Sequence, residues 1–181
     1  MDVMTALLTR PAPARLSGPA PGDEELRYLL KGAAAACGEG PHPWHWILDS
    51  TGDVTGDNPG AGSGGGAAAG GGPLRAVLVL VPARAPHLSD GERTRRVYTA
   101  LNALELLLHA RGYASSWQPA DLATRTASTR SLPELGAGES LLGLLTIGRP
   151  DAPQALVRRP LADIADLVSR RAAPVAGAVS R

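Results

Sequence analysis

The chain is poor in aromatic residues and contains no phenylalanine. Aromatic side chains make up only 3% of it, so leucine, valine and alanine must fill the core. The one cysteine, Cys37, cannot form an internal disulfide, and no cysteine and histidine residues have the spacing of a zinc site. No apolar run is long enough to cross a bilayer, and residues 1–10 lack the pattern of a signal peptide. We therefore expect a cytoplasmic protein.

The charge balance is nearly neutral, with a formal net charge of +1 at pH 7. Proteins that bind nucleic acid or an anionic membrane surface usually carry a clear excess of positive charge. We therefore expect neither nucleic acid nor a membrane as a partner.

The length and composition suit a single domain. The chain has 181 residues, of which 44% are hydrophobic, which is enough for one core of ordinary size. We predict one domain over residues 1–181, with a frayed tail at 174–181. Residues 52–73 are rich in glycine and cannot bury enough apolar surface to offset their conformational entropy. We interpret 52–73 as a flexible loop; a phosphate-cradling loop is the weaker alternative, because it has no Gly-Lys-Ser/Thr sequence.

The apolar pattern predicts alternating helices and strands. Helices are predicted at residues 2–9, 23–36 and 91–111, from Asp121 onward, and at 160–171. Strands are predicted at residues 44–48, 75–82, 114–117 and 141–147. We expect Asp23 and Asp121 to cap their helices, Gly112 to end the helix at 91–111, and Gly148-Arg149-Pro150 to end the last strand. Residues 10–22 contain four prolines and are interpreted as an extended loop.

Two of these segments define the predicted architecture. Residues 75–82 form a continuous apolar run, which is typical of a strand covered on both faces. The helix at about 91–111 has a wide apolar stripe, which indicates either the central helix of the core or a helix shared with a second subunit. The alternation predicts an α+β fold, an α/β sandwich in which helices flank a central mixed sheet.

Several short motifs occur in an order that resembles the FMN-dependent nitroreductase family, in its small NAD(P)H nitroreductase branch. They are Asp2, Ala6-Leu7-Leu8 and Arg10; Arg15-Leu16 and Pro19-Ala20-Pro21; Leu26 with Leu29-Leu30; Pro43-Trp44-His45-Trp46; His109 to Trp117; and Leu141 to Pro150. Together they cover most of the chain outside the glycine-rich loop.

The resemblance implies a nitroreductase-like fold and a homodimer that holds FMN between its subunits. It also implies hydride transfer from NAD(P)H to a small-molecule acceptor such as a nitroaromatic or a quinone. In such enzymes the flavin performs the chemistry, so no catalytic side chain is required. The sequence accordingly contains no pattern typical of a hydrolytic triad.

Arg10 is the first candidate for cofactor binding. In the family this position opens an Arg-Arg-Ser run that binds the FMN phosphate, which a guanidinium can contact with two hydrogen bonds. The alternative is a solvated arginine at a helix C-terminus. Here Pro11 and Ala12 follow, which removes one cation and one hydroxyl. Arg15 and Arg149 are candidates to compensate; the alternative is that each is an ordinary surface arginine.

Three further positions fall where the resemblance implies the flavin environment, although Glu39 departs from the pattern of the family. Glu39 follows the second helix and brings negative charge where a flavin or phosphate contact is expected, unless it faces away. Trp117 and Gln118 fall where the family has a tryptophan followed by a polar residue near the flavin. For Trp117 the alternative is core packing, because tryptophan is a large apolar anchor.

Other reactive side chains have simpler interpretations. His42 and His45 lack a third metal ligand nearby and would lie on opposite faces of a strand, so we predict no metal site. Cys37 is interpreted as a small buried apolar residue rather than a redox thiol. The cations of residues 93–96 are interpreted as the solvated start of a helix. Because cations there oppose the helix dipole, the alternative is a partner carboxylate or an anionic cofactor group nearby that compensates them.

The sequence thus predicts an FMN-dependent oxidoreductase that binds FMN through Arg10 and Trp117, with Arg15 as weaker support. The alternative is a nitroreductase-like protein without FMN, which would serve as a binding or scaffold module or as the partner of an active paralogue. Pro11, Ala12 and Glu39 favour that alternative. A third hypothesis is an unrelated small α/β domain.

Overall fold

The computed structural model describes Thr5, Thr9 and residues 16–49, 72–126 and 132–150. The predicted helices at 2–9 and 160–171 and the predicted tail at 174–181 lie outside the described residues, apart from Thr5 and Thr9. Most of the predicted glycine-rich loop, residues 52–71, also lies outside them. Within the described ranges, no helix combines the length and apolar character that a membrane crossing needs.

Three helices and five strands make up the described chain. The helices are α1 (Asp23–Ala35), α2 (Asp90–Ala110) and α3 (Ala120–Thr126). The strands are β1 (Leu16–Gly18), β2 (Trp44–Asp49), β3 (Leu74–Leu80), β4 (Ala114–Pro119) and β5 (Ser140–Pro150). A short 3-10 turn, Pro82–Arg84, follows β3.

The three helices begin close to their predicted positions, but two caps were wrong. Gly22 is the N-cap of α1 and gives no side-chain hydrogen bond, while Asp23 is already helical. Asp121 likewise lies in the first turn of α3, which begins at Ala120. Both carboxylates still interact favourably with the positive end of their helix dipole. An aspartate before an apolar pattern was therefore a first-turn acid and not the cap.

A capping box starts α2. The backbone N–H of Glu92 donates to the Ser89 hydroxyl, and the Glu92 carboxylate accepts from the Ser89 backbone N–H at 3.0 Å. The cation expected to need a partner here has one, because the Arg93 guanidinium pairs with Asp90 at 2.7 Å. The unfavourable position of Arg93 is therefore compensated within the same turn.

Strand β5 organises the sheet. It pairs with β3 along Ser140–Ile147 and with β4 along Gly143–Gly148, and β2 extends the sheet beyond β3. The predicted α+β class is confirmed. All described pairings are antiparallel, however, where a mixed sheet was predicted, because strand direction depends on connections that apolar periodicity does not report.

The core lies on both faces of this sheet. Helices α1 and α2 cover one face with a leucine-rich cluster, which includes Leu29, Leu104 and Leu145. On the other face, the buried side chains of Val77 and Val79 pack with those around Ala123 of α3. The prediction that β3 is covered on both faces is therefore confirmed.

Two features at the ends of strands differ from the sequence prediction. Strand β1 lies in a stretch interpreted as loop, because three residues among prolines carry no readable alternation. Strand β5 does not stop at Ile147 but continues to Pro150, since Leu16 pairs with Pro150 and Gly18 with Arg149. The extension of β5 and the presence of β1 thus have the same cause, because the two segments pair with each other.

Candidate functional site

The turn between α2 and β4 is the centre of the candidate site. Its backbone forms a Schellman motif: Tyr113 N–H donates to the Leu108 carbonyl and Gly112 N–H to the His109 carbonyl, both at 3.0 Å. Gly112 has φ +79°, a left-handed conformation that favours glycine, as its predicted role in ending the helix requires. The motif fixes the positions of His109 and Tyr113 on either side of Gly112.

Arg149 contacts this turn through the ring of Tyr113. Its guanidinium carbon lies 4.7 Å from the centroid of the Tyr113 ring, within the range of a cation–π contact. The side chain of Arg149 is exposed, whereas Tyr113 is only 8% exposed. The buried ring therefore forms a fixed platform for an exposed cation.

The hydroxyl of Tyr113 is held by α1. It donates a hydrogen bond to Glu25 Oε2 at 2.9 Å. Burial raises the pKa of the Tyr113 phenol, the Glu25 hydrogen bond and charge raise it further, and Arg149 opposes them. The phenol therefore stays protonated at neutral pH and remains a donor to Glu25.

A second contact of the turn involves the end of the first predicted helix. The Thr9 hydroxyl donates to the Thr5 carbonyl at 2.6 Å, which leaves its oxygen to accept from His109 Nε2 at 3.1 Å. Both partners are buried, at 8% and 7% exposure. Thr9 directly precedes Arg10 in the sequence, so this hydrogen bond anchors the residue before the predicted phosphate-binding arginine.

Two glycines bring β1 against the end of β5. A Cβ at Gly148 would lie 2.9 Å from the Gly18 carbonyl oxygen, and a Cβ at Gly18 would lie 2.7 Å from Arg149 Cβ. Both distances are shorter than real Cβ contacts, so neither position has room for a side chain. The pairing places Leu16, which follows Arg15 in the sequence, opposite Pro150.

Three segments that carry or adjoin predicted phosphate-binding arginines thus meet at one end of the sheet. Thr9 contacts the α2–β4 turn through His109, Arg149 contacts it through Tyr113, and β1 pairs with Arg149. Such a convergence suits the binding of an anion, because arginine is the preferred partner of phosphate groups. The residues Arg10, Pro11, Ala12 and Arg15 themselves lie outside the described residues.

Glu39 lies at the opposite end of α1 from this convergence. Its carbonyl accepts from the Arg96 guanidinium at 3.4 Å, near the start of α2, and its side chain is exposed. Glu25, in contrast, lies in the first turn of α1 beside Tyr113. The 13 residues of α1 span about 20 Å, so the structure does not bring Glu39 together with Arg149.

Trp117 and Gln118 are separated by the pleat of β4. Trp117 pairs with Leu145 and packs, partly buried, against the core on the helix-covered face. Gln118 pairs with Leu144, which belongs to the cluster on the other face. Adjacent residues of a strand point to opposite faces, so these two side chains do not line one surface.

The indole of Trp117 rests on Gly143. A Cβ at Gly143 would lie 2.5 Å from Trp117 Cζ2 and would also collide with the carbonyl oxygen of Gln118. The ring thus occupies the space that any other residue would need at Gly143. The structure gives Trp117 a packing role, and a flavin contact by Trp117 stays a prediction.

Of the reactive side chains outside the convergence, Cys37 has hydrogen-bond partners, whereas the buried Nδ1 atoms of His42 and His45 have none among the described residues. The Cys37 thiol donates to the Arg96 carbonyl at 3.1 Å, and burial raises the pKa of this thiol, against the opposing charge of Arg96. A raised pKa disfavours the reactive thiolate, but Cys37 is only half-buried where a buried residue was predicted. The ring of His42 contacts Trp44 at a centroid distance of 4.7 Å. Within the described ranges, no group of three potential ligands could hold a metal ion.

The sequence names Arg149 as a candidate but gives little sign of the residues that contact it. Tyr113 lies within the motif from His109 to Trp117, directly after the glycine predicted to end the helix. That position could have marked Tyr113 as a candidate site residue. No sequence signal links it to Glu25 or to Arg149, because these residues come from distant parts of the chain. Thr9 and His109 likewise share no readable pattern.

No protein-family model matches the chain, and no curated protein matches it in sequence. Solved structures do match it. A provisionally assigned nitroreductase in complex with FMN from Desulfovibrio desulfuricans is 18% identical, with 96% of this chain and 99% of that chain covered and a TM-score of 0.62. The nitroreductase-like family protein from Bacillus cereus is 17% identical, covering 94% of this chain and 96% of its own, with a TM-score of 0.59.

A third likeness is to an FMN-dependent nitroreductase from Clostridium difficile R20291. It is 15% identical and has a TM-score of 0.56, with 87% of this chain and 92% of that chain covered. The aligned regions thus span nearly the whole of each protein, although few residues are the same. The chain has the fold of the nitroreductase family, as the order of its motifs predicted.

Proposed function

We propose that the protein is an FMN-dependent oxidoreductase that transfers hydride from NAD(P)H to a nitroaromatic, quinone or similar acceptor. The observation that carries the proposal is the convergence of the segments bearing or adjoining Arg10, Arg15 and Arg149 on the α2–β4 turn. The fold supports it, since solved proteins of this fold include one in complex with FMN.

The described residues fit the phosphate end of FMN. Arg149 is exposed, and within the described ranges no carboxylate lies at salt-bridge distance from it. Arg93 is different, because Asp90 and two backbone carbonyls already occupy its guanidinium. An arginine without such partners is suited to a phosphate ligand, so Arg149 is the residue we assign to that group.

The chain supplies position and charge rather than reacting groups. When bound, the isoalloxazine ring supplies the hydride chemistry. Arg149 would hold the phosphate, with Arg10 and Arg15 as further cations on adjoining segments. Pro11 and Ala12 offer neither a cation nor a hydroxyl, so these arginines must carry the electrostatic attraction.

The proposal includes a homodimer with two equivalent flavin sites. Helix α2 carries an exposed tyrosine, Tyr98, near its middle, with 40% of its surface exposed. Exposed tyrosines of this kind are common at subunit interfaces. Sedimentation equilibrium should give twice the mass of the 18.6 kDa chain; a monomer at micromolar concentration would contradict this part of the proposal.

One experiment tests the function. The purified protein, incubated with FMN and freed of unbound ligand, should retain the visible absorbance of oxidised flavin and lose it on addition of NADH or NADPH. Arg149→Ala should weaken FMN binding by about 1.5–3 kcal/mol, the worth of a charged hydrogen bond. Arg111→Ala is the matched control, because Arg111 is an exposed arginine of the same turn that lies over Tyr28 instead.

A colourless protein that takes up no FMN would refute the proposal. That result would favour the alternative of an FMN-free binding or scaffold module. Pro11 and Ala12 support this alternative, because they supply neither a second cation nor a hydroxyl. Flavin that binds but is not reduced by either nicotinamide would restrict the function to flavin binding.

A further inference from the structure

We infer that Tyr113, held by Glu25, is a positioning residue that orients the Arg149 guanidinium for the phosphate of FMN. The inference rests on the proposed function and deepens it, because it explains how the chain orients Arg149 for a phosphate group. It concerns how the protein distinguishes a flavin that carries a phosphate from one that does not.

The ring of Tyr113 is fixed at three points. Its backbone N–H is bonded to the Leu108 carbonyl, its hydroxyl is bonded to Glu25, and its ring belongs to the buried core cluster. Glu25 itself lies in the first turn of α1, where a carboxylate favours the helix dipole. The Tyr113 ring that contacts Arg149 is therefore held at its backbone end and at its hydroxyl end.

Contact with this platform restricts Arg149. Its guanidinium carbon lies 4.7 Å from the centroid of the Tyr113 ring, a cation–π contact with a ring that is itself fixed. A free arginine side chain would have to lose its rotamer freedom on binding an anion. The Tyr113 ring restricts that freedom beforehand, and such preorganisation favours binding.

The placement of Glu25 keeps the charge of Arg149 available. The carboxylate contacts the hydroxyl edge of the ring, and within the described ranges Arg149 has no carboxylate at salt-bridge distance. Glu25 thus fixes the platform without forming an ion pair with the cation that stands on it. A direct Glu25–Arg149 pair would hold the guanidinium equally well but would compete with a phosphate.

The experiment measures the dissociation constants of FMN and riboflavin for the full-length protein, since the two differ only by the phosphate. The ratio of the riboflavin constant to the FMN constant should fall about 10- to 100-fold in Arg149→Ala, as expected for a lost charged hydrogen bond. Tyr113→Leu should lower the ratio at least about threefold with riboflavin affinity unchanged, and should add nothing further in the Arg149→Ala background. Tyr28→Leu is the matched control, because it removes an exposed tyrosine ring that lies 6.0 Å from another arginine, and it should leave the ratio unchanged.

Milder variants decide the matter if Tyr113→Leu does not fold. Tyr113→Phe keeps the ring but loses the hydroxyl, and Glu25→Gln keeps the shape but loses the charge; each should lower the ratio about threefold. An unchanged ratio in these variants, an equal loss for both flavins, or a wild-type protein that does not distinguish the two flavins would overturn the inference and leave the proposed function standing. A wild-type protein that binds neither flavin would overturn both.

Discussion

Replacement of Gly143 by alanine tests the packing of Trp117 directly. The added Cβ would lie 2.5 Å from Cζ2 and 2.6 Å from Cη2 of the Trp117 ring, and it would also meet the carbonyl oxygen of Gln118. Neither obstacle is the end of a flexible side chain: one is a large ring packed against the core on the helix-covered face, and the other is backbone paired to β5. The clash can be relieved only by moving β4 or the ring.

Overpacking of this kind costs about 1–3 kcal/mol, and about 1 kcal/mol shifts the melting temperature of a domain of this size by about 2–4 °C. We therefore expect Gly143→Ala to lower the melting temperature by about 2–12 °C, measured by circular dichroism at fixed protein concentration. The matched control is Gly91→Ala in α2, where an added Cβ meets nothing within 4 Å. That substitution should leave the melting temperature unchanged or raise it, since alanine is the better helix former.

Two results would refute the reasoning. A Gly143→Ala protein as stable as the wild type would mean that the Trp117 ring does not rest on Gly143. An equal loss of stability in Gly91→Ala would mean that the loss in Gly143→Ala does not come from the contact between Gly143 and the Trp117 ring. The double variant Gly143→Ala with Trp117→Leu adds a further check, because removal of the ring should make the alanine less costly than it is alone.

Three further predictions concern the helix ends and the candidate site. Ser89→Ala removes the capping box of α2 and should cost about 1 kcal/mol in the free energy of unfolding, measured by urea denaturation; an unchanged midpoint would contradict it. The Ser89 hydrogen bonds lower the pKa of the Glu92 carboxyl from its ordinary 4.5, so their stabilisation is present above that value and is lost as pH falls through the lower folded-state pKa. The stability difference between wild type and Ser89→Ala should accordingly shrink in titrations below about pH 4, and a constant difference would exclude this linkage. Thr9→Val leaves buried His109 without the Thr9 hydrogen bond and should destabilise by about 1–3 kcal/mol, whereas Thr94→Val, at an exposed position of α2, should stay within about 0.5 kcal/mol in the same measurement.

The elements with strong periodicity were predictable from the sequence. The apolar stripe of α2 and the apolar run of β3 reflect burial that repeats along consecutive residues, and both appear close to their predicted positions. Gly112 was also predictable, since a glycine directly after a helix signals a left-handed residue. Such features are encoded locally, so the chain reveals them without knowledge of the fold.

The features that define the candidate site are not local. Strand β1 exists because Leu16 and Gly18 find partners at the end of β5, and β5 is long for the same reason. The role of Tyr113 depends on Glu25 and Arg149, whose separation in the sequence gives no sign that they share one ring. The distance of Glu39 from Arg149, in contrast, follows from the length of α1 and could have been estimated beforehand.

The position of β5 near the end of the described chain also affects how the protein can assemble during synthesis. Strands β1, β3 and β4 all pair with β5, so of the described strands only β2 and β3 can pair with each other before residues 140–150 leave the ribosome. Until then β3 lacks its partner β5, and one edge of β3 stays unpaired. Strands with such exposed edges are prone to aggregate. Closing the sheet joins its first strand to its last, a long-range contact that is typical of slow folding. A nascent chain that ends before Ser140 should therefore remain sensitive to protease, and protection should appear only once Pro150 has emerged.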